Sequence, residues 1–284
     1  MFIDEHRNEY PVSTLCRLLR VCRSGFYAWE SRPESRHVRE DRALLAHIER
    51  IHRESREAYG TVKTWKDLNK RGISCGRNRV ARLRKQAGIE ARRTRRFRVT
   101  TQSRHSYPIA DNLLDRAFSV SRPNRVWVGD ITFIPTQAGW LYVAILVDLF
   151  ARKVVGWAMS RYIDRELVTR APAMALERRR PAPGLIHHTD QGRQYATESY
   201  RQRLIAHGIS PSMSRKGDCF DNACAESFMS TLKNELTHHL QFHTREEAKT
   251  AIFEFIEVFY NRQRLHQTLG YLSPAEFERR AGVS

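Results

Sequence analysis

Between residues 126 and 159 the chain carries three runs rich in apolar, β-branched and aromatic residues, 126–135, 140–149 and 153–159, parted only by Gln137-Ala138-Gly139 and Ala151-Arg152. Strand-length runs joined by connections this short predict an antiparallel meander. The pattern then alternates: a helix over 165–179, a buried-type strand over 185–189, a helix over 198–206 and a short strand near 209–213. Three strands followed by strand–helix alternation predict an α/β fold built on a mixed five-stranded sheet with helices on its faces. Residues 222–236 read as a further helix. Thr244, with Glu246 and Glu247 in the first turn, opens another, in which Ile252, Phe255, Ile256 and Phe259 share a face.

Three acids stand out against this pattern. Asp130 interrupts the apolar strand Trp127-Val128-Gly129-Asp130-Ile131-Thr132, Asp190 ends the run Leu185-Ile186-His187-His188-Thr189, and Glu226 lies on the helix after Gly217. A carboxylate inside an apolar strand is costly unless it is paired or binds a metal, so Asp130 calls for either an arginine partner or a cation. Carboxylate oxygens suit Mg²⁺ or Mn²⁺, and two such ions serve phosphoryl transfer. Asp130, Asp190 and Glu226 are therefore the candidate catalytic and metal-holding residues. His187 and His188 are adjacent on a strand and point to opposite faces, which argues against zinc and leaves one of them to support the site or touch DNA. Asp148 ends its strand or pairs with Arg152, with a fourth site acid as the alternative; Asp218 and Asp221 read as turn and helix-cap residues.

The charge points to the substrate. The net formal charge is +18, and residues 1–110 hold 26 Lys+Arg against 12 Asp+Glu, whereas 111–284 hold 23 against 19. A basic excess gathered in one part of the chain predicts a polyanionic partner there. Residues 11–29 have helix-turn-helix proportions, with Ser13 as cap, Leu15, Leu18 and Leu19 inward, and a break at Ser24-Gly25. A second unit opens at Thr61 with Val62, Trp65 and Leu68 inward, stops at Gly72, and continues over 78–87 with Val80 and Leu83 inward. That second helix leaves Arg77, Arg79, Arg82, Arg84 and Lys85 for its exposed sides, as a major-groove reader would. Arg92, Arg93, Arg95, Arg96 and Arg98 follow in a segment poor in apolar residues and read as a linker lying against phosphates.

Other classes are disfavoured. The longest apolar run, 140–147, is far shorter than the roughly 20 residues of a membrane span. Asp4, Glu5 and Glu9 stand where a secretory signal would be basic, and five cysteines without a CxxC pair suggest neither a disulfide framework nor a zinc ribbon. A reducing cytoplasm, with nucleoid DNA as partner, is the expected setting.

At this level the chain resembles a known family. The strand 127–133, the segment His188-Thr189-Asp190-Gln191-Gly192-Arg193-Gln194-Tyr195, the run 214–223 leading to Glu226-Ser227-Phe228, and Thr231-Leu232-Lys233-Asn234-Glu235 resemble the integrase-like transposases of the IS3 family of insertion sequences. Tyr260-Asn261-Arg262, His266 and the segment 269–277 resemble that family's C-terminal end. The resemblance implies an RNase-H-like core with an Asp-Asp-Glu triad at Asp130, Asp190 and Glu226, Mg²⁺ or Mn²⁺ as two ions, and DNA cleavage followed by strand transfer at an element's ends. It also implies an oligomer on DNA and a first-frame partner protein, since members are commonly second-frame products. Lys233, seven residues after Glu226, matches a basic position that approaches the element's end, with a solvated pair to Glu235 as the bland alternative. Arg77, Arg79, Arg82, Arg92, Arg93, Arg95, Arg96 and Arg193 complete the candidate DNA contacts. The expected domains are a helical region over 1–58, a second helix-turn-helix module over 59–91, a basic linker over 92–122, and the catalytic core with its helical tail over 123–284. The alternatives are a non-catalytic DNA-binding regulator and an RNase-H-like nuclease without strand transfer.

Overall fold

The computed structural model describes residues 2–92, 108–215 and 219–283. It divides into two compact units, Met1–Arg50 and Ile51–Ser284.

The first unit holds α1 (Phe2–Glu5), α2 (Val12–Leu18), α3 (Arg23–Glu30) and most of α4 (Arg36–Glu54). Its small core joins Ile3, Leu15, Cys16 and Phe26. Several details differ from expectation. Pro11 occupies the N-cap of α2 with no side-chain cap bond, so Ser13 lies inside the helix. Leu18 and Leu19 are exposed. The chain turns at Arg20, whose φ of 53° ends α2, and α3 then runs straight through Ser24-Gly25. The turn comes before the serine–glycine pair because a left-handed residue at the end of α2 already reverses the chain.

The second unit begins with α5 (Thr61–Lys70) and α6 (Arg77–Gln86), packed through buried Leu68, Val80 and Leu83. Gly60 is the N-cap, so Thr61 is the first helical residue, and Val62 is exposed. Gly72 adopts φ 78° and stops α5. The Trp65 indole donates to the carbonyl of Cys75 at 2.8 Å, tying the turn to the helix. Arg77 and Arg82 are exposed and Arg79 is half-buried, but Arg84 is buried and donates to Thr64 Oγ1 at 3.0 Å. Helical spacing puts position 84 beside Val80 on the inner face, which overrides the preference of its guanidinium for water.

The sheet follows as expected. β1 (Val126–Thr136), β2 (Gly139–Asp148) and β3 (Lys153–Ser160) form the antiparallel meander; β4 (Leu185–Thr189) and β5 (Ile209–Met213) add in parallel, giving the order β3-β2-β1-β4-β5. Because strand residues alternate faces, Val126, Val128 and Ile134 join one core and Trp127 another. The first core is closed by α9 (Ala223–Glu235), α10 (Arg245–Glu254) and a π-helical turn Phe255–Tyr260; the second by α7 (Arg165–Arg179) and α8 (Glu198–Ala206). Gly156 allows this close approach on the α7 side, since a Cβ there would lie 2.2 Å from the Ala171 carbonyl oxygen. Thr244 caps α10, and Ile252, Phe255, Ile256 and Phe259 are all buried, as their spacing predicts. The tail ends in α11 (Pro274–Arg280).

Candidate active site

Asp130 lies on the face of β1 that carries Val126 and Val128, the face covered by α9. Asp190 follows the last residue of the neighbouring parallel strand β4, and Glu226 sits in the first turn of α9. The sequence-distant acids are thus gathered by two adjacent strands and one helix. Burial pushes the Asp130 carboxyl well above its usual value; Asp190 and then Glu226 add repulsion, opposed by the Ile131 amide and the Lys233 charge. The Ile131 amide donates to Asp130 Oδ1 at 2.7 Å. The Glu226 pKa is also raised, first by burial and then by Asp190. The arginine partner open to Asp130 is not found: among the described residues it makes no ion pair.

Backbone geometry around these acids depends on two glycines. A Cβ on Gly129 would meet His187 Cε1 at 2.8 Å, so the residue before Asp130 tolerates no side chain without displacing that ring. The Gly192 amide donates to Asp190 Oδ1 at 3.0 Å, and a Cβ on Gly192 would come within 2.9 Å of the same oxygen.

The donor set fits a hard divalent cation, since it consists of oxygen ligands whose mutual repulsion a cation relieves. Among the described residues, however, no three His, Cys, Asp or Glu side chains already form a metal-holding cage. The acids sense one another through charge without converging on a common point, and a cation would have to draw them in.

Lys233 is buried on α9 rather than solvated, and its Nζ lies 5.3 Å from the Phe133 ring centroid. Burial lowers its pKa and Asp130 opposes that shift. The alternative partner Glu235 is taken by Arg264, in bonds of 2.6 and 2.7 Å. Phe133 packs edge-to-face on Trp140 at 5.0 Å, and both rings remain exposed. Arg193 is exposed three residues beyond Asp190, and Arg92 donates to Glu57 at 3.1 Å. Arg93, Arg95, Arg96, Arg98 and Asp218 lie outside the described residues.

Several polar residues turn out to be scaffold. His187 bonds Tyr200 Oη at 2.8 Å and His188 bonds Ser212 Oγ at 2.9 Å. Both rings are buried, which pushes their pKa values down to about 4, so neither is placed to touch DNA or share a zinc ion. Asp148 does end β2, but its charged partner is Arg179 at 3.4 Å, and it also accepts from the amides of Asn124 and Phe150 at 2.8 and 3.0 Å. Arg152 instead donates to Cys224 Sγ and the Phe118 carbonyl. Asp148 pairs across the sheet with Trp127, three positions from Asp130, so about 10 Å along the strand separates it from the acid group. Asp221 caps no helix: it is fully buried and accepts from Arg116, Arg215 and Asn112. Its carboxyl is held well below the usual range, chiefly by Arg215.

Two neighbours, both inside the family-like segments 188–195 and 214–223, have roles that the sequence does not reveal. Asn222 donates to the Gly129 carbonyl at 3.1 Å, linking the start of α9 to the strand residue beside Asp130. Tyr195 is a buried phenol whose pKa is raised by burial, then by Tyr200, Asp130 and Asp190, so it keeps its proton beside the acids. Neither role follows from spacing, because both depend on long-range packing.

Comparison with known proteins gives the family. Integrase core domain families match residues 120–219 and 226–281, and an HTH-like domain matches 39–97. An uncharacterized 31 kDa protein of insertion element IS600 from Shigella sonnei is 45% identical, covering 93% of this chain and 97% of its own. The transposase InsF of insertion sequence IS3A from Escherichia coli strain K12 is 39% identical, covering 98% and 97%. Among solved structures, a chain of the simian T-cell lymphotropic virus intasome in complex with PP2A regulatory subunit B56 gamma aligns with TM-score 0.48 at 14% identity, over 75% of this chain and 69% of its own. The HTLV-2 integrase catalytic core domain in complex with magnesium aligns with TM-score 0.43 at 16% identity, over 55% and 96%. With near-complete alignment to an IS3 transposase and an integrase core preceded by an HTH-like domain, the chain belongs to the IS3 family of transposases, DNA-binding enzymes with integrase-type catalysis.

Proposed function

We propose that this transposase cuts and rejoins DNA at the ends of its insertion sequence with Asp130, Asp190 and Glu226 as a DDE triad for Mg²⁺, with Mn²⁺ able to replace it and two ions held. The observation that carries this reading is the mutual electrostatic repulsion of three carboxylates from two strands and a helix, with no ion pair to Asp130 among the described residues. A cation held by these three carboxylates would neutralise their repulsion and would offset charge developing on the phosphoryl oxygens. The chain's own groups supply positioning. The Ile131 and Gly192 amides hold Asp130 and Asp190. Glu226 lies at the N-terminal end of α9, where the helix dipole favours its charged form.

Lys233 lies two turns further along α9, roughly 10 Å at 1.5 Å per residue, and brings a positive charge to the same site. That charge suits a phosphate next to the one being cut. Arg77, Arg79 and Arg82 on α6, with Arg92, Arg93, Arg95 and Arg96 after it, hold DNA phosphates and base edges, and Arg193 meets the strand entering beside Asp190. The functional modules follow as 1–58, 59–91, 92–122 and 123–284. The working form is a homo-oligomer on DNA in the cytoplasm, associated with the nucleoid and assisted by a first-frame DNA-binding protein.

Incubating the protein with Mg²⁺ and labelled end-containing duplex tests the reading. Cleaved and joined products are expected. Cleavage without joining would leave a nuclease, and binding alone a regulator.

A further inference from the structure

Within the unit Ile51–Ser284, helix α5 is seated on the tail that follows α10. Tyr59 is buried at the start of the module; its hydroxyl accepts from the Leu265 amide at 2.6 Å and donates to the Gln263 carbonyl at 3.5 Å. Between those two residues, Arg264 forks Glu235, the last residue of α9, so the segment that holds Tyr59 also holds the end of the helix that carries Glu226. Lys63 lies 5.2 Å over the Tyr59 ring. At the far end of α5, Lys70 pairs with Glu276 of α11, and Lys66 lies 5.5 Å from the Tyr271 ring. Arg56 pairs with Glu254 at 3.3 Å and lies over Phe255 and Phe259. Contacts at both ends of α5 oppose rotation as well as separation.

We infer that this seam acts as a caliper: Tyr59, Lys70, Arg264 and Glu276 are positioning residues that hold the α5–α6 module at one distance from the acid site, and so select which phosphodiester is cut. This rests on the proposal that α5–α6 binds DNA. Without these contacts the distance between the module and the acid site would be free to vary by several nucleotide steps, each about 3.4 Å. A seam fixed at both ends removes that freedom. The tail thereby gains a role in accuracy distinct from the chemistry.

The test uses full-length protein, Mg²⁺ and 5′-labelled duplex carrying an element end, with cut positions read at single-nucleotide resolution. Lys70→Glu and Glu276→Lys should each bind the end within about twofold of the unmodified protein, spread cleavage over neighbouring phosphodiesters, and lower joining about tenfold. The doubly exchanged Lys70→Glu/Glu276→Lys should return the cut to one position. Tyr59→Phe keeps the ring and loses only the hydroxyl bonds, so it should give a narrower spread in a protein that remains folded. Single variants that cut only at the normal position and rate would overturn the inference, as would spreading that the exchange fails to correct. If Arg77→Glu/Arg82→Glu left DNA affinity unchanged, the reader itself would be misassigned and the caliper would fall with it; normal dependence on those arginines with an invariant cut would remove the caliper alone.

Discussion

Asp130 and Asp221 are both acids in packed surroundings, and the structure treats them in opposite ways. Asp221 is enclosed by Arg116, Arg215 and Asn112, and its carboxyl is held far below the usual range. Asp130 faces two other acids, has its pKa raised by burial and repulsion, and makes no ion pair among the described residues. The two regions are close in the chain, since Asp221 precedes α9 and Glu226 lies in its first turn. The contrast separates an acid that holds a loop in place from acids that repel one another, the condition the proposed cation site requires. Burial of a carboxylate alone marks neither role; the identity of its neighbours does.

The largest effects should come from the mutually repelling set. Asp130→Asn, Asp190→Asn and Glu226→Gln should each reduce cleavage and joining by about 10³-fold or more while end binding persists, measured on the same labelled duplex. Asp130→Asn should also raise the melting temperature of the metal-free protein, because repulsion is removed. A lower melting temperature would place Asp130 with Asp221 as a structural acid.

Acid should next disturb the histidines packed beside the site. His187 and His188 have folded pKa values lowered to about 4 from 6.5. Below pH 6.5 the unfolded chain takes up protons that the folded rings refuse, so the stability they contribute is present above that value and is lost as the pH falls toward 4. The loss should approach a few kcal/mol for each ring, on the order of 1.4 kcal/mol for each pH unit that separates its folded from its unfolded pKa. NMR titration should find both imidazoles neutral above pH about 5; protonation near 6.5 would contradict their burial.

Asp221→Asn should lower stability by about 1–3 kcal/mol in urea unfolding, as charge-assisted hydrogen bonds to Arg116 and Arg215 are weakened. An unchanged midpoint would erase the distinction from Asp130. Lys233→Ala should lower joining about tenfold, and Lys233→Glu more, the latter with a lower melting temperature because a buried carboxylate joins the repelling acids; wild-type joining by Lys233→Glu would remove the residue from the site. The smallest effect is expected at Asp148, already partnered by Arg179. Asp148→Asn should retain cleavage within about threefold, and complete loss in a folded protein would return Asp148 to the acid group.

Much of the fold was legible because it rests on local pattern. Strand runs, the α9 segment and the Thr244 cap all come from short-range periodicity and capping chemistry, and they appear at the expected places. The helical N-terminal part was less legible in detail. Leu18 and Leu19 have core chemistry yet are exposed, while Arg84 has surface chemistry yet is buried, since short helices place side chains according to what packs beside them.

The same division holds for the candidate site. Residue order was enough to establish that Asp130 interrupts an apolar strand, that Asp190 closes another, and that Glu226 and Lys233 share a helix, because those statements need only a period of two or 3.6 residues. It took the folded chain to reveal that Asp148 meets Arg179 and not Arg152, that Asp221 is an arginine anchor, that Asn222 reaches the Gly129 carbonyl, and that Tyr59 is seated on the tail. Most of these partners come from elements far apart in the chain. Periodicity places a side chain on one face of its element, but its charge and hydrogen-bond environment is set by whichever distant element the fold brings against that face.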